Sequence, residues 1–457
     1  MKLPRALWII LVSSLALKLC LLGVAKDIPA FADERQYVAA ALSIAAEGVP
    51  TYANPQWDEA HYPPVYPYFV GAACKLFAAG FRTAVHVLQA VIGTATVWML
   101  FLAARRLFDE RIALISAGIW AFFPTAICYT QLFLGETLYA AFVLGVPLLL
   151  LPAEKVLGTR HSFAAGLMAG LATLTRSIFL PQSFLIAGWI VLTHGGIRDW
   201  RRSSRLASVF LAGLFCVILP WSIRNTLRYD SFLLIDTGAG NVLHLNWNMV
   251  DPWNQDIGLV GRHQADRGRA KAAGIERRRR FRPENEDDIV ARNKGEIRLA
   301  SAWLLEHPLL FLRHSVIRAA EFVNPTSLLV FRLRKGHYGE PPAAVSEGLI
   351  LLVIAGTILL LWAGGVGMTF QAARKEHALY ALLFFSALLS GALLMSITRY
   401  RFPSMPLLVP FAVHMLCCPR DVPRPREAPV RWGIATLLSV LLLIVFAIYL
   451  PNNYPGS

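Results

Sequence analysis

The sequence is poor in charge: 16% of its 457 residues are Asp, Glu, Lys or Arg, against 56% hydrophobic. A soluble domain carries roughly a quarter charged residues, so a water-soluble globule is excluded and an integral membrane protein is expected. CxxC spacing is also absent. Cys20, Cys74, Cys128, Cys216, Cys417 and Cys418 lie in or beside apolar runs, so neither a zinc site nor a disulfide framework is expected, and the thiols read as small packing residues. No internal repeat of the transporter type is present. The formal net charge of +15 is distributed as Arg and Lys clusters in short loops between apolar runs, which is the pattern of membrane topology rather than of nucleic-acid binding.

Apolar runs long enough to cross a bilayer, oriented so that the Arg and Lys clusters share one side, give about eleven spans. They are Leu7 to Ala25, Ala84 to Ala104, Ile112 to Tyr129, Leu134 to Leu151, Phe163 to Thr175, Ile178 to Thr193, Leu206 to Ser222, Ser346 to Trp362, Ala378 to Ile397, Phe402 to Cys418 and Ile434 to Leu450. The first has no small-x-small cleavage site and is expected to be retained rather than removed as a signal peptide. The fold expected is all-α and polytopic. A transmembrane module covers 1–222, with a first outer loop at 26–82; an extracytoplasmic loop or cap covers 223–345, and a C-terminal transmembrane module covers 346–457. Pro63 to Ala79 is apolar, but a full span there would put Arg105 and Arg106 on the wrong side; it is expected to lie against the outer face. "ERRRRFRPENEDD" at 276–288 reads as a solvated part of the large loop.

This threading gathers ionisable residues at one membrane face. Asp33 and Glu34 follow the first span, with Asp58, Glu59 and His61 in the same loop. Glu136 in "GETLY", Arg176 in "LTRSIF", Arg224 in "PWSIRN", and Arg399 and Arg401 in "TRYRFP" lie at later span ends. Each could simply end a helix among headgroups, yet charges near a bilayer are costly unless they face water, one another or a ligand. A carboxylate facing several arginines suits transfer of a sugar from a lipid phosphate: arginine forks stabilise the departing phosphate, and a carboxylate takes the proton of the incoming hydroxyl. No nucleotide is available outside the cell, in keeping with the missing Gly-rich phosphate loop. His61 is a candidate ligand for a divalent metal, although a lone histidine is more often structural.

The order of "DERQY", "HYPPVYP", "GETLY", "LTR", "PWSIRN" and "RYRFP" along the chain resembles the C-type (GT-C) glycosyltransferases of the protein O-mannosyltransferase and lipid A aminoarabinose transferase superfamily. The resemblance covers the first 230 residues and returns at "RYRFPSMPLLVPFA". It implies a GT-C fold with juxtamembrane helices in the first outer loop. It also implies inverting transfer from a polyprenyl-phosphate sugar to a glycan, lipid or protein acceptor at the outer face of a bacterial cytoplasmic membrane. By that resemblance Asp33 is the catalytic base and Glu34 its support; Arg399 and Arg401 are donor-phosphate ligands, with Arg176 and Arg224 as further candidates. Tyr37, His61, Tyr62 and Glu136 would line the cleft, with no certain cofactor and a divalent metal as a candidate. The aminoarabinose transferases carry an acidic residue and a lysine where this chain has His61 and Tyr62, and the O-mannosyltransferases carry a β-trefoil domain that 223–345 does not suggest, which favours a glycan or lipid acceptor over a protein. A transporter or flippase of lipid-linked glycans is the alternative, disfavoured because the charges sit at span ends rather than at the midplane. An accessory subunit whose large loop binds an envelope partner is a third reading.

Overall fold

The computed structural model describes residues 4–25, 30–54, 57–152, 156–194, 199–238, 289–338, 341–371 and 374–450. Among these the regular elements are helices joined by turns and extended links, and the basic–acidic run at 276–288 lies outside them. The helices are α1 Arg5–Ala25, α2 Asp33–Glu47, α3 Val65–Phe77, α4 Phe81–Leu107, α5 Glu110–Phe122, α6 Pro124–Tyr129, α7 Glu136–Leu150, α8 Thr159–Thr175, α9 Phe179–Thr193, α10 Trp200–Tyr229, α11 Ile289–Glu306, α12 Pro308–Phe322, α13 Leu328–Arg334, α14 Ala343–Gln371, α15 Lys375–Leu393, α16 Thr398–Arg401, α17 Met405–Cys417 and α18 Pro429–Tyr449.

Each segment expected to cross the membrane overlaps a helix, but Ile112 to Tyr129 is not one span: Phe123 is extended and breaks it into α5 and α6. Among the described residues, six stretches have the length and apolarity to cross: Arg5–Gly23, Val65–Leu107, Trp200–Tyr229, Ala343–Gln371, Lys375–Leu393 and Pro429–Tyr449. The remaining expected segments form helices of 13 to 17 residues. At about 1.5 Å per residue these reach roughly 20–26 Å, short of a hydrocarbon core of about 30 Å. The outermost helices carry apolar side chains away from the bundle, among them Ile9 and Val12 on α1 and Val430, Leu437 and Leu443 on α18. In water such surfaces are unfavourable; in lipid they cost nothing.

Local chemistry sets the breaks between helices. Asp109 caps α5 by accepting from the Ile112 amide at 2.8 Å, and Pro124, Pro308 and Pro429 sit in the first turns of their helices, where a missing N–H is harmless. The first outer loop folds into α2 and α3, the short helices expected there. Gly48, at φ 83°, closes α2. Gly71 lets α3 lie directly on α2: a Cβ there would stand 2.5 Å from Ile44 Cγ2. A 3₁₀ turn at Ala78–Gly80 separates α3 from α4. Beyond α10, residues 231–238 turn back to the first loop, with Thr237 N donating to Ala60 O at 3.0 Å and Trp221 Nε1 to Ile235 O at 2.7 Å. The described part of 223–345 is not a separate body, since Phe322, Leu328, Leu329 and Val330 are buried in the same continuous core as Phe101 and Phe411.

Helices α8 and α10 pack backbone to backbone through Gly166 and Gly213. A Cβ on Gly166 would fall 2.0 Å from Phe210 O, and one on Gly213 2.3 Å from Phe163 O; backbone carbonyls cannot swing aside as a side chain can. Gly166→Ala should therefore force the helices apart, destabilising the fold by about 1–3 kcal/mol as overpacking does. Thermal unfolding in detergent should show a lowered midpoint, while Gly188→Ala, with nothing within 4 Å of its added Cβ, should leave it in place.

Candidate active site

Asp33 is the first residue of α2, where the helix dipole favours a carboxylate. Immediately before it, Ala32 has φ 48° and ψ −117°, a backbone region that costs a non-glycine residue on the order of 1–3 kcal/mol and persists only when its surroundings enforce it. Glu34 supplies the enforcement. Its Oε2 accepts from the Phe31 amide at 3.0 Å and pairs with Arg332 Nη2, while its Oε1 accepts from the Phe133 amide at 3.0 Å. Glu34 is 3% exposed and Arg332 2%. Glu34 thus ties the start of α2, the loop before α7 and helix α13 into one frame around its neighbour.

Asp33 faces the other way. Its Oδ2 pairs with Arg399 Nη2, and its Oδ1 accepts from the Tyr62 hydroxyl at 3.1 Å. Glu136 opens α7 and accepts from Arg176 Nη2 at 2.5 Å; the same Oε1 is 3.7 Å from Arg399 Nε. Arg176 follows the last turn of α8, where a cation complements the dipole. Both guanidiniums lie over the Tyr400 ring, Arg399 at 5.2 Å and Arg176 at 5.5 Å from its centroid. Tyr37 closes the other wall, its ring 5.0 Å from that of Tyr62 and 4.8 Å from that of Tyr66. The result is a partly buried, charge-balanced square of two carboxylates and two guanidiniums in an aromatic box. Glu136 Oε2 is buried within it without a hydrogen-bond partner among the described residues.

Burial pushes the Asp33 carboxyl up, but Arg399, by charge and hydrogen bond, together with Arg176 and the Tyr62 hydroxyl, outweighs it and holds the group below the ordinary carboxylate range. Asp33 is therefore ionised at neutral pH. Burial first, and the Asp33 charge second, push the Tyr62 hydroxyl upward, so it remains a proton donor to Asp33.

The other residues singled out in the sequence sit differently. Arg224 pairs with Glu59 Oε2 and lies 4.9 Å over the Trp221 ring, while Arg228 reaches Glu59 Oε1 at 3.2 Å. Burial raises the Glu59 carboxyl, yet the hydrogen bonds of Arg228 and Arg224 bring it below its usual range. Asp58 accepts from Thr237 at 2.7 Å and Tyr229 at 3.1 Å. This second cluster fastens the 58–62 loop, and with it Tyr62, to the end of α10; Arg224 has no contact with Asp33 in it. Arg401 also stands apart. It is 1% exposed and its guanidinium donates to the carbonyls of Phe322, Asn324 and Thr326 at 2.7, 2.5 and 3.1 Å, so it braces the segment leading to α13 and presents no free fork to a phosphate. His61 stacks on Trp57 at 4.1 Å and 10°, and no metal-compatible grouping of side chains among the described residues includes it.

Two contributors escaped sequence reasoning. Arg332 lies in the 223–345 stretch read as an extracytoplasmic loop or cap, and nothing in "FRLRK" distinguishes its inward arginine from Arg334. Tyr400 stands between the two arginines of "RYR", and that adjacency was the available signal. Because Glu34 and Arg332 are both buried, Arg332→Met should leave a carboxylate without its counter-charge and destabilise the protein by about 3–5 kcal/mol. Asp33→Asn removes one charge from a partly exposed pair and leaves Glu136 3.7 Å from Arg399 Nε, so it should lower the unfolding temperature by much less. Thermal melts of the two variants, read by size-exclusion fluorescence, should separate them clearly.

Residues 61–223 match the sequence profile of the family described as dolichyl-phosphate-mannose-protein mannosyltransferase; this segment contains Tyr62, Glu136 and Arg176, with Asp33 and Arg399 on either side of it. No curated protein matches the sequence significantly. Among solved structures, ArnT from Cupriavidus metallidurans bound to undecaprenyl phosphate is similar with a TM-score of 0.54 at 15% identity, over 96% of this chain and 64% of that one. AglB from Archaeoglobus fulgidus in complex with an inhibitory peptide and a dolichol-phosphate gives a TM-score of 0.49 at 15% identity, over 98% of this chain and 56% of that one. The chain spans less than two thirds of the length of either structure. It has the fold of the GT-C membrane glycosyltransferases, and its segment 61–223 is similar in sequence to the dolichyl-phosphate-mannose-protein mannosyltransferase family.

Proposed function

We propose that the protein is an inverting glycosyltransferase that moves a sugar from a polyprenyl-phosphate carrier to an envelope glycan, lipid or protein at the extracytoplasmic face of a bacterial cytoplasmic membrane, with Asp33 as general base. The observation that carries this reading is the pairing of Asp33 with Arg399, which sets a carboxylate beside a guanidinium in one partly buried site. The fold, shared with a structure bound to undecaprenyl phosphate, supports it.

In the structure Asp33, the base of this proposal, is paired with Arg399, its phosphate ligand. A donor phosphate is a stronger partner for an arginine fork than one carboxylate oxygen, since it offers two oxygens in matching geometry. Drawing Arg399 onto the phosphate leaves Asp33 with the Tyr62 hydroxyl and the surrounding aromatic walls. Burial then dominates, the carboxylate becomes more basic, and it accepts the proton as the acceptor oxygen attacks the anomeric carbon from the face opposite the phosphate. The C–O bond to the phosphate breaks with its electron pair, and the negative charge that gathers there is met by Arg399 and Arg176. Glu136 keeps Arg176 oriented throughout. The base thus reaches full strength only when the donor is bound, which disfavours idle proton transfer.

Asp33→Asn in native cells, at matched expression, should remove one sugar from one class of envelope molecule and let its lipid-phosphate donor accumulate, as read by mass spectrometry of lipids, glycans and glycoproteins. Envelope profiles identical to wild type would discard Asp33 as the base.

The pH dependence follows from the sign of the Asp33 shift. A carboxyl held below its ordinary value of about 3.9 contributes stability above that value and loses it as pH falls through the folded-state value. The rate of the wild type should therefore show no loss from Asp33 protonation in the mildly acidic range before donor binds. Arg399→Gln removes the principal opposing cation and leaves burial to act, so the acidic limb of kcat/KM should move to higher pH as well as lose amplitude. An unmoved limb in pH-rate profiles of this variant would separate Asp33 from the titrating group.

A further inference from the structure

At the end of the bundle away from Asp33, three side chains of different ligand chemistry converge. Helix α4 starts at Phe81, whose ring is 6.3 Å from that of Phe133 beside the site, and runs 27 residues to Leu107, about 40 Å at 1.5 Å per residue. Phe108 follows and stacks on His414 at 4.3 Å and 20°. His414 is in the last turn of α17, Cys418 is four residues on, and Asp421 is in the 3₁₀ turn that follows. The imidazole, thiol and carboxylate ligand atoms all lie within 4.8 Å of one another, the grouping with metal-compatible spacing among the described residues.

We propose that His414, Cys418 and Asp421 form a zinc-binding site that clamps the end of α17 to the turn leading into α18. The argument is geometric and chemical. Two ligands about 2.0–2.1 Å from a tetrahedral zinc stand roughly 3.3 Å apart, and His414 Nε2 is 3.3 Å from Asp421 Oδ2. A zinc thiolate at about 2.3 Å would place sulfur roughly 3.6 Å from each of the other two, a rotamer adjustment from the observed spacing. Cys418, the residue that ends α17, donates its backbone N–H to His414 O at 2.8 Å, which keeps the thiol close to the last helical turn, and the Phe108 stack fixes the plane of the imidazole. A thiolate and a carboxylate neutralise a divalent ion together, and the mix of nitrogen, sulfur and oxygen favours zinc over magnesium or calcium. The charged groups that bear on the site from neighbouring segments are Asp109, toward both His414 and Cys418, Arg374 toward His414 and Arg111 toward Cys418. Asp421 is 61% exposed, which gives the ion a path in and leaves the fourth position to water. CxxC spacing did not announce this site because the sulfur's partners are a histidine one helical turn back and an aspartate beyond the helix end.

The test uses the full chain purified in detergent, loaded with zinc sulfate and freed of excess by gel filtration. Elemental analysis should find about one zinc per chain in the wild type and in Cys417→Ser, and background in Cys418→Ser and His414→Ala. Cobalt(II) added to metal-free protein should give a thiolate-to-metal charge-transfer band that Cys418→Ser lacks, which reads coordination independently of stability. Zinc in the wild type at the level of Cys418→Ser with no such band, or loss of the metal in Cys417→Ser in place of Cys418→Ser, would overturn the assignment and leave His414 and Asp421 as a hydrogen-bonded pair.

Discussion

The structure is organised around a single electrostatic constraint: a carboxylate withdrawn from water needs a counter-charge within contact distance. At the start of α2 two adjacent carboxylates meet it in opposite directions. Glu34 turns inward to Arg332, 298 residues away, and Asp33 turns toward Arg399, 366 residues away. One pair builds the frame and the other occupies it. Together they lock the first outer loop onto both α13 and α16, and the strained backbone at Ala32 is held in place between them.

The same constraint shapes the chemistry. The square of Asp33, Arg399, Glu136 and Arg176 carries no net charge, and each of its arginines is paired with a carboxylate. An anion entering such a site exchanges partners rather than simply filling a hole, so its binding is felt at the carboxylate it displaces. Tyr62, Tyr37 and Tyr400 make the surroundings poor in water, which strengthens each of these interactions. The second cluster, Glu59 with Arg224 and Arg228, secures the loop that delivers Tyr62, so a hydrogen bond to Asp33 depends on ion pairs that do not touch it.

Much of this was legible in the chain. Charge scarcity and apolar run length gave the helices, and helix-terminal positions gathered Asp33, Glu136, Arg176 and Arg399 at one face. What stayed hidden were choices between neighbours. Arg399 and Arg401 are two residues apart in "RYR", yet one joins the carboxylates and the other is taken up by three backbone carbonyls. Arg332 looks like any basic residue of a loop. His61 was a metal candidate by type and became a stacking partner of Trp57, whereas His414 drew no attention and sits within ligand distance of Cys418 and Asp421.

The sequence by itself determined what must be true of each segment alone: which stretches are apolar enough to be helices in lipid, where proline, glycine and aspartate break or cap them, and that charges at their ends require partners. Only the tertiary structure decided which partner each charge takes. That choice depends on helix rotation and on contacts hundreds of residues apart, and a shift of two residues turns an arginine from the cleft to the backbone behind it.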